Sequence, residues 1–171
     1  VPVSPAIISK VYLSVTIPKM LYGIEVTHVN NERLQELEHA HRQNAKLIQG
    51  LPMNAPIPAP LATLGWYTIE AQISIMKLVF LWKTLCLPGQ NIYKTAVIHI
   101  IKKLLQSPCL VKNYTSPVGD MYRAVIKYKM LNMLQRSIIS GDYGNANEMK
   151  RNIKHAVREH EYSCWRASCE M

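Results

Sequence analysis

What most constrains this chain is where its prolines and glycines stand relative to its apolar residues. Between these breaks the apolar residues recur at the three-to-four spacing of a helix face, and nowhere do they sustain the alternation of a strand. Leu34, Leu37, Ala40, Leu47 and Leu51 fall near one face of a helix that Asn30 or Asn31 can cap. Glu32 stands in its first turn, where the helix dipole favours an anion, and Glu38 and Arg42 sit four apart on the wetter side. Gly50-Leu51-Pro52 stops this helix with a flexible residue followed shortly by one lacking an amide proton. Ile69, Ile73, Met76, Val79, Phe80 and Trp82 cover so much of the next long helix, which runs to about Cys86, that it should be central. Pro88-Gly89 ends it, and Val97, Ile100, Ile101, Leu104 and Leu105 form the stripe of the helix that follows.

The remaining segments fit the same class. A helical stretch from about Ala6 to Gly23 must kink or restart at Pro18, because the ring removes an amide donor and crowds the preceding turn. Residues 52–60, PMNAPIPAP, hold four prolines and read as a stiff extended connector, followed by a short turn at Leu61–Leu64 and a corner at Gly65-Trp66. Beyond a loop bracketed by Pro108 and Pro117-Val118-Gly119, the pattern predicts a helix from about Asp120 to Ser140. The turn Gly141–Gly144 and a last helix from Asn145 onward complete the chain. The fold class is therefore all-α, about six helices with no regular sheet. Its expected organisation is residues 1–51, a proline-rich linker at 52–60, and a basic helical segment at 61–171.

A chain of 171 residues, 49% apolar and 18% charged, is long and apolar enough to bury a core. It opens on Val1-Pro2-Val3 without a basic end leading into an apolar stretch, so it reads as an excerpt of a larger protein with no secretory signal. Its most apolar helical stretch, Thr68 to Leu87, contains Glu70, Lys77 and Lys83, which argues against a membrane span. Cys86, Cys109, Cys164 and Cys169 are scattered through helical patterns, as in reduced intracellular proteins; a nuclear or cytoplasmic setting follows.

Catalytic patterns are sparse. Asp120 and Asp142, the chain's two aspartates, each follow a glycine, where a turn or helix cap is the ordinary explanation. A two-metal phosphoryl-transfer site needs several convergent carboxylates, and no phosphate-cradling glycine loop is present. His155, His160, Cys164 and Cys169 could each ligate zinc, but on one helix His160 and Cys164 alone share a face well. Closing a tetrahedron would require the helix to break, so no metal, no cofactor and no catalytic residue are expected.

The charge of +9 is unevenly placed. Residues 1–80 carry six Lys/Arg against five Asp/Glu (+1), and residues 81–171 fourteen against six (+8). Such asymmetry fits either a polyanion-binding half or a generally basic soluble surface. Lys150, Lys154 and Arg158 recur every four residues with Arg151 beside them, a cationic ridge about three turns long, with Glu148 and Glu159 nearby. Arg123 and Lys127 form a similar pair. Tyr122, Tyr128, Tyr143, Tyr162 and Trp165 interleave with these cations, the combination that holds single strands and RNA ends; a solvated face with half-buried tyrosines is the competing explanation.

Read in order, several short motifs resemble the region downstream of the catalytic palm in reverse transcriptases of LINE-type, non-LTR retrotransposons. Ile17-Pro18-Lys19-Met20-Leu21-Tyr22-Gly23-Ile24-Glu25 is similar to that family's P-x-x-L-Y-G-x-E helix. Leu37-Glu38, His41-Arg42, Ala45-Lys46 and Ile48-Gln49-Gly50-Leu51-Pro52 are similar to the helix that follows, which ends in a G-L-P stop. The prolines at 56–60 with Ala62 to Gly65-Trp66, then Leu87-Pro88 and Asn91-Ile92-Tyr93-Lys94, extend the likeness over roughly residues 5–105. The resemblance implies that residues 5–51 are thumb-like helices that pack on a template–primer duplex beside an upstream palm domain. The later helices would then help grip template RNA or a DNA primer or target. The palm's aromatic-x-Asp-Asp motif, an endonuclease and a recognisable Cys/His knuckle are absent from these residues, so no polymerase or nuclease chemistry is expected of them.

The sequence thus predicts a non-catalytic nucleic-acid-binding piece of an RNA-directed DNA polymerase. Its expected phosphate contacts are Lys94, Lys102, Lys103, Arg123, Lys127, Lys150, Arg151, Lys154 and Arg158, with Lys10 and Lys19 on the first helical stretch. Lys46 and Lys77, in the nearly neutral half, are expected to matter much less. The rival is a helical protein-interaction module, a relic of such an element, docking a partner through Met20, Leu21, Tyr22 and Ile24.

Overall fold

The computed structural model describes residues 4–55, 58–111 and 114–169. Among them every regular element is helical. α1 (Pro5–Val11) passes through a π-helical stretch at Tyr12–Thr16 into α2 (Ile17–Met20). Then come α3 (Asn31–Gln49), α4 (Pro58–Leu64), α5 (Ile69–Leu85), α6 (Ile92–Gln106), α7 (Pro117–Lys127), α8 (Leu131–Ser140) and α9 (Ala146–Cys169). With α1, the π stretch and α2 taken as one rod, the described residues hold eight helices rather than about six, and the class is all-α as the periodicity predicts.

Three local differences from the expected pattern have identifiable causes. The interruption expected at Pro18 takes the form of a widened turn before it: α1 gives way to the π-helical stretch, α2 begins at Ile17, and the Ile17 amide bonds the Tyr12 carbonyl five residues back, which makes room for the ring. The connector is not extended throughout: Pro52–Ala55 closes a turn through the Ala55 amide and the Pro52 carbonyl at 3.0 Å. α4 then begins at Pro58, residues 56 and 57 lying outside the described residues. Prolines are tolerated there because the first amides of a helix have no intrahelical partner. Gln49 of α3 donates to the Pro60 carbonyl at 2.8 Å, and Lys46 Nζ to the Met53 carbonyl at 2.6 Å, so this segment folds back on α3. The expected helix from Asp120 to Ser140 is two helices. Lys129 stands between them at φ 57°, with the Met130 amide on the Val125 carbonyl at 2.9 Å. Tyr128 and Met130 are both buried, and an unbroken helix would point them about 200° apart.

The expected caps form. Asn30 accepts the Arg33 amide at 2.9 Å, and Gly50 ends α3 in the left-handed conformation at φ 64°. Central α5 joins two apolar clusters. Ile69 and Ile73 pack with Leu21, Ile24, Ala45, Leu61 and Trp66. Leu78, Leu81, Trp82 and Leu85 pack with residues of α6, α7, α8 and α9, among them Ile101, Val125, Leu134 and Ile153. At about 1.5–3 kcal/mol for each fully buried large side chain, this helix contributes more than its propensity could.

Glu38 lies inward rather than on the wetter side. It is buried and accepts the Glu70 amide at 2.9 Å, so a carboxylate meets the N-terminal turn of α5 where the helix dipole is positive. Beside it His41 is fully buried in a stack with Trp66 (5.0 Å between centroids), which in turn stacks on Tyr12 at 4.7 Å. His41 Nε2 donates to the Tyr67 carbonyl at 3.0 Å, which leaves Nδ1 to accept from the Tyr12 hydroxyl at 3.1 Å. The Tyr12 bond requires a neutral imidazole, and burial lowers the His41 pKa below its ordinary value of 6.5, outweighing the Tyr67 carbonyl, which favours the charged ring.

Two expectations follow. Lys129→Gly should raise stability by about 0.5–1 kcal/mol in urea unfolding, because glycine carries no Cβ penalty in the left-handed region. An unchanged or lower value would show that the Lys129 side chain offsets its backbone cost. Second, the unfolded chain takes up the His41 proton from about pH 6.5 downward and the folded chain only at lower pH. Stability should therefore fall as pH drops through that window. The difference in urea midpoint between pH 7.5 and pH 5.5 should shrink in His41→Gln; an equal difference would place the titration elsewhere.

Candidate nucleic-acid interface

The ridge predicted on the last helix is held in place by the row beside it. Met149, Ile153, Val157 and Glu161 recur every four residues and are buried, three of them within the core and Glu161 against the start of α5. The Thr68 hydroxyl accepts the Ala71 amide at 3.2 Å and donates to Glu161 Oε2 at 3.0 Å, so one side chain caps α5 and fixes the register of α9 on it. Lys150, Lys154, Arg158 and Tyr162 each follow a buried residue by one position, a rotation of about 100° that turns the whole row outward. All four are exposed, as is Arg151. Among the described residues, none of Lys150, Arg151, Lys154 and Arg158 has a carboxylate within ion-pair distance. Glu148 and Glu159 lie toward the far side of the exposed face, about 80–100° round from Arg158.

The other expected contacts divide in two. Lys102 and Lys103 are exposed on α6 beside its buried Ile101 and Leu104, and Lys10 and Lys19 are exposed on the first rod. Lys94, Arg123 and Lys127 have partners within the protein. Lys94 Nζ donates to the Leu87 carbonyl at 2.9 Å and lies 4.6 Å from the Tyr143 ring centre, tying the start of α6 to the turn before α9. Arg123 donates to the Val111 and Tyr114 carbonyls at 2.9 and 3.1 Å and to Asp120. Lys127 pairs with Glu70. The eleven cations therefore do not form one continuous surface by themselves; helical register gathers the four of α9 and the pair on α6.

Asp120 is neither a turn residue nor a cap. Ser116 caps α7 by accepting the Gly119 amide at 2.9 Å, and Asp120, one turn in, gathers four donors. They are Lys77 Nζ from α5, Arg123 from its own helix, His28 Nδ1 at 2.9 Å and the Val29 amide at 3.2 Å. Burial alone would raise its pKa; the Lys77 ammonium outweighs that and, with the other donors, holds the carboxyl below its ordinary value. Lys77 is itself buried and also donates to the Thr27 carbonyl at 2.9 Å. It is thus a structural centre, and Lys46 likewise serves the fold by tying the segment after α3 back onto that helix. Gly119 is required for close approach, since a Cβ there would lie 2.5 Å from the Tyr114 carbonyl oxygen. These residues floor an open cleft of about 680 Å³ between the start of α3, α5 and α7. Its ionised groups answer one another.

Asp142 is the turn residue the sequence predicts, accepting the Gly144 amide at 2.9 Å. On α9 the Cys164 sulfur lies 3.7 Å from His160 Nε2, the four-residue contact expected from their spacing, and His160 packs edge-on against Tyr128. The Cys169 side chain lies outside the described residues. Among those described, no three His, Cys, Asp or Glu side chains converge to hold a metal ion, and no helix is long and apolar enough to cross a membrane.

Asp120→Ala should cost about 3–5 kcal/mol in urea unfolding, because it leaves Lys77 charged and unpaired in the interior. Removing both charges together in Lys77→Met/Asp120→Leu should recover much of that loss. A single variant within about 1 kcal/mol of the parent would show that water answers the ammonium instead.

No protein-family model, no curated protein and no solved structure matches this chain.

Proposed function

We propose that this chain is a non-catalytic nucleic-acid-binding element whose α9 ridge, Lys150, Arg151, Lys154 and Arg158, grips sugar–phosphate backbones. The observation that carries the reading is that all four cations are exposed, without carboxylate partners among the described residues, and set in one register by the buried row beside them. Phosphate neutralisation by such a ridge is sequence-independent and releases counterions. Lys102 and Lys103 on α6 and Lys10 and Lys19 on the first rod are secondary contacts; Lys94, Arg123 and Lys127 act by holding the scaffold. In the setting that the motifs suggest, the bound nucleic acid is RNA template with DNA primer or target, and the parent is an RNA-directed DNA polymerase of the non-LTR retrotransposon type. Its palm lies in another part of that polypeptide, and the site is intracellular.

One observation favours the rival, a helical protein-interaction module. Ile7, Ile8, Val11, Leu13 and Val15 of the first rod are exposed, an apolar surface suited to a protein partner such as a palm domain. Tyr22 projects almost wholly into solvent, whereas Leu21 and Ile24 of the same motif are buried and cannot dock anything without unfolding.

The test is affinity for a short RNA–DNA hybrid as a function of salt. Affinity should fall steeply with rising salt, and K150E/K154E/R158E should weaken binding roughly alike across unrelated sequences. The triple variant should melt within a few degrees of the parent, since an exposed ridge contributes little to packing. Undiminished binding at low salt would make the ridge a solvated face and leave the protein-interaction module as the better reading.

A further inference from the structure

The cation row does not end at Arg158. Four residues on, in the same register, stands Tyr162, 55% exposed, and four beyond it Arg166. The Arg166 guanidinium lies 5.0 Å from the Tyr162 ring centre, with Nη2 3.4 Å from the phenol oxygen, so one side of the ring is steadied by a stacked cation. Each step along the row advances about 6 Å and turns about 40°, so the row winds across the exposed face from phosphate-binding groups to an aromatic surface.

We propose that α9 prefers single-stranded over double-stranded nucleic acid, the strand's backbone running along Lys150, Lys154 and Arg158 and a base stacking on Tyr162. This rests on the reading of α9 as a phosphate-binding ridge. The distinction comes from what each ligand can offer the ring. In a duplex the faces of each base are covered by their neighbours, so the phosphates meet the cations and nothing meets Tyr162. A single strand brings both, because an unstacked base presents a π face that any aromatic side chain can cover regardless of sequence. Arg166, planar and already stacked on Tyr162, can extend the platform to a second base. Trp165, partly exposed one turn from Tyr162, provides a direct reporter, since Trp66 and Trp82 are buried.

The experiment compares the full chain with Tyr162→Ala and Tyr162→Phe on a labelled twelve-nucleotide oligo-uridine and a twelve-base-pair duplex at low salt. Tyr162→Ala should weaken single-strand binding roughly 5- to 100-fold and duplex binding less than twofold, while Tyr162→Phe retains both. Oligo-uridine should also quench Trp165 fluorescence, the other two tryptophans being shielded. If Tyr162→Ala binds both probes as the parent does, or loses both equally, the stacking proposal is overturned and the phosphate ridge stands. If neither probe binds the parent, or K150E/K154E/R158E binds as well as the parent, the ridge reading falls and takes this proposal with it.

Discussion

The ammonium of Lys77 sits on central α5, between the two apolar clusters that this helix joins, and its solvation has to be replaced by protein. Asp120 supplies the opposite charge, the Thr27 carbonyl a further acceptor, and His28, Val29 and Arg123 satisfy the rest of the carboxylate. That single pair therefore fixes three things together: the path of the chain into α3, the docking of α7 on α5, and, through Arg123, the loop that precedes α7. Burying ions gains little net stability over an apolar packing of the same shape, but it penalises every arrangement in which the two charges fail to meet. The core on either side could tolerate sliding helices; the ion pair does not.

Much of the helical scaffold was legible because it is written in periodicity and punctuation, which are local. Asn30 and Gly50 bound α3 as read, and the all-round apolar pattern of residues 69–85 did mark the central helix. What the sequence concealed depends on contacts between distant residues. Arg123 beside Asp120 suits a surface pair equally well, and the partners that make it an interior charge, Lys77 and His28, lie 43 and 92 residues away. Glu38 reads as half of a surface i,i+4 pair until α5 is seen to present its first amides to it. The split between α7 and α8 is local but carries no glycine or proline, since Lys129 takes the left-handed conformation itself. One signal was available: Tyr128 and Met130, both apolar or aromatic and two apart, cannot share a face of an unbroken helix.

The candidate interface shows the same division. The four-residue spacing of Lys150, Lys154 and Arg158 was readable, and so was the interleaving of tyrosines; which cations are free to meet a ligand was not. Lys94, Arg123 and Lys127 look no different from the ridge in sequence, yet a carbonyl, a carboxylate or a ring answers each of them. On α9 the decisive information is the buried row one position earlier, which turns a set of basic residues into an aligned surface. In the proposed role, recognition is thus inherited from packing: the apolar half of the helix decides where the charged half points.

The widened turn at Tyr12–Thr16 limits which changes this stretch can accept. A regular α-helix would place Tyr12 and Ile17 well apart around its axis, whereas here five residues complete one turn and both face the same core. The turn therefore behaves as a one-residue insertion absorbed without disturbing the packed face on either side. It is also what accommodates Pro18, whose ring would otherwise press on the carbonyl four residues back. Extra residue and proline are consequently a matched pair. Removing one residue from the turn while keeping Pro18 would set the ring against that carbonyl and turn Tyr12 or Ile17 away from the core, so the two features constrain substitution at this stretch together.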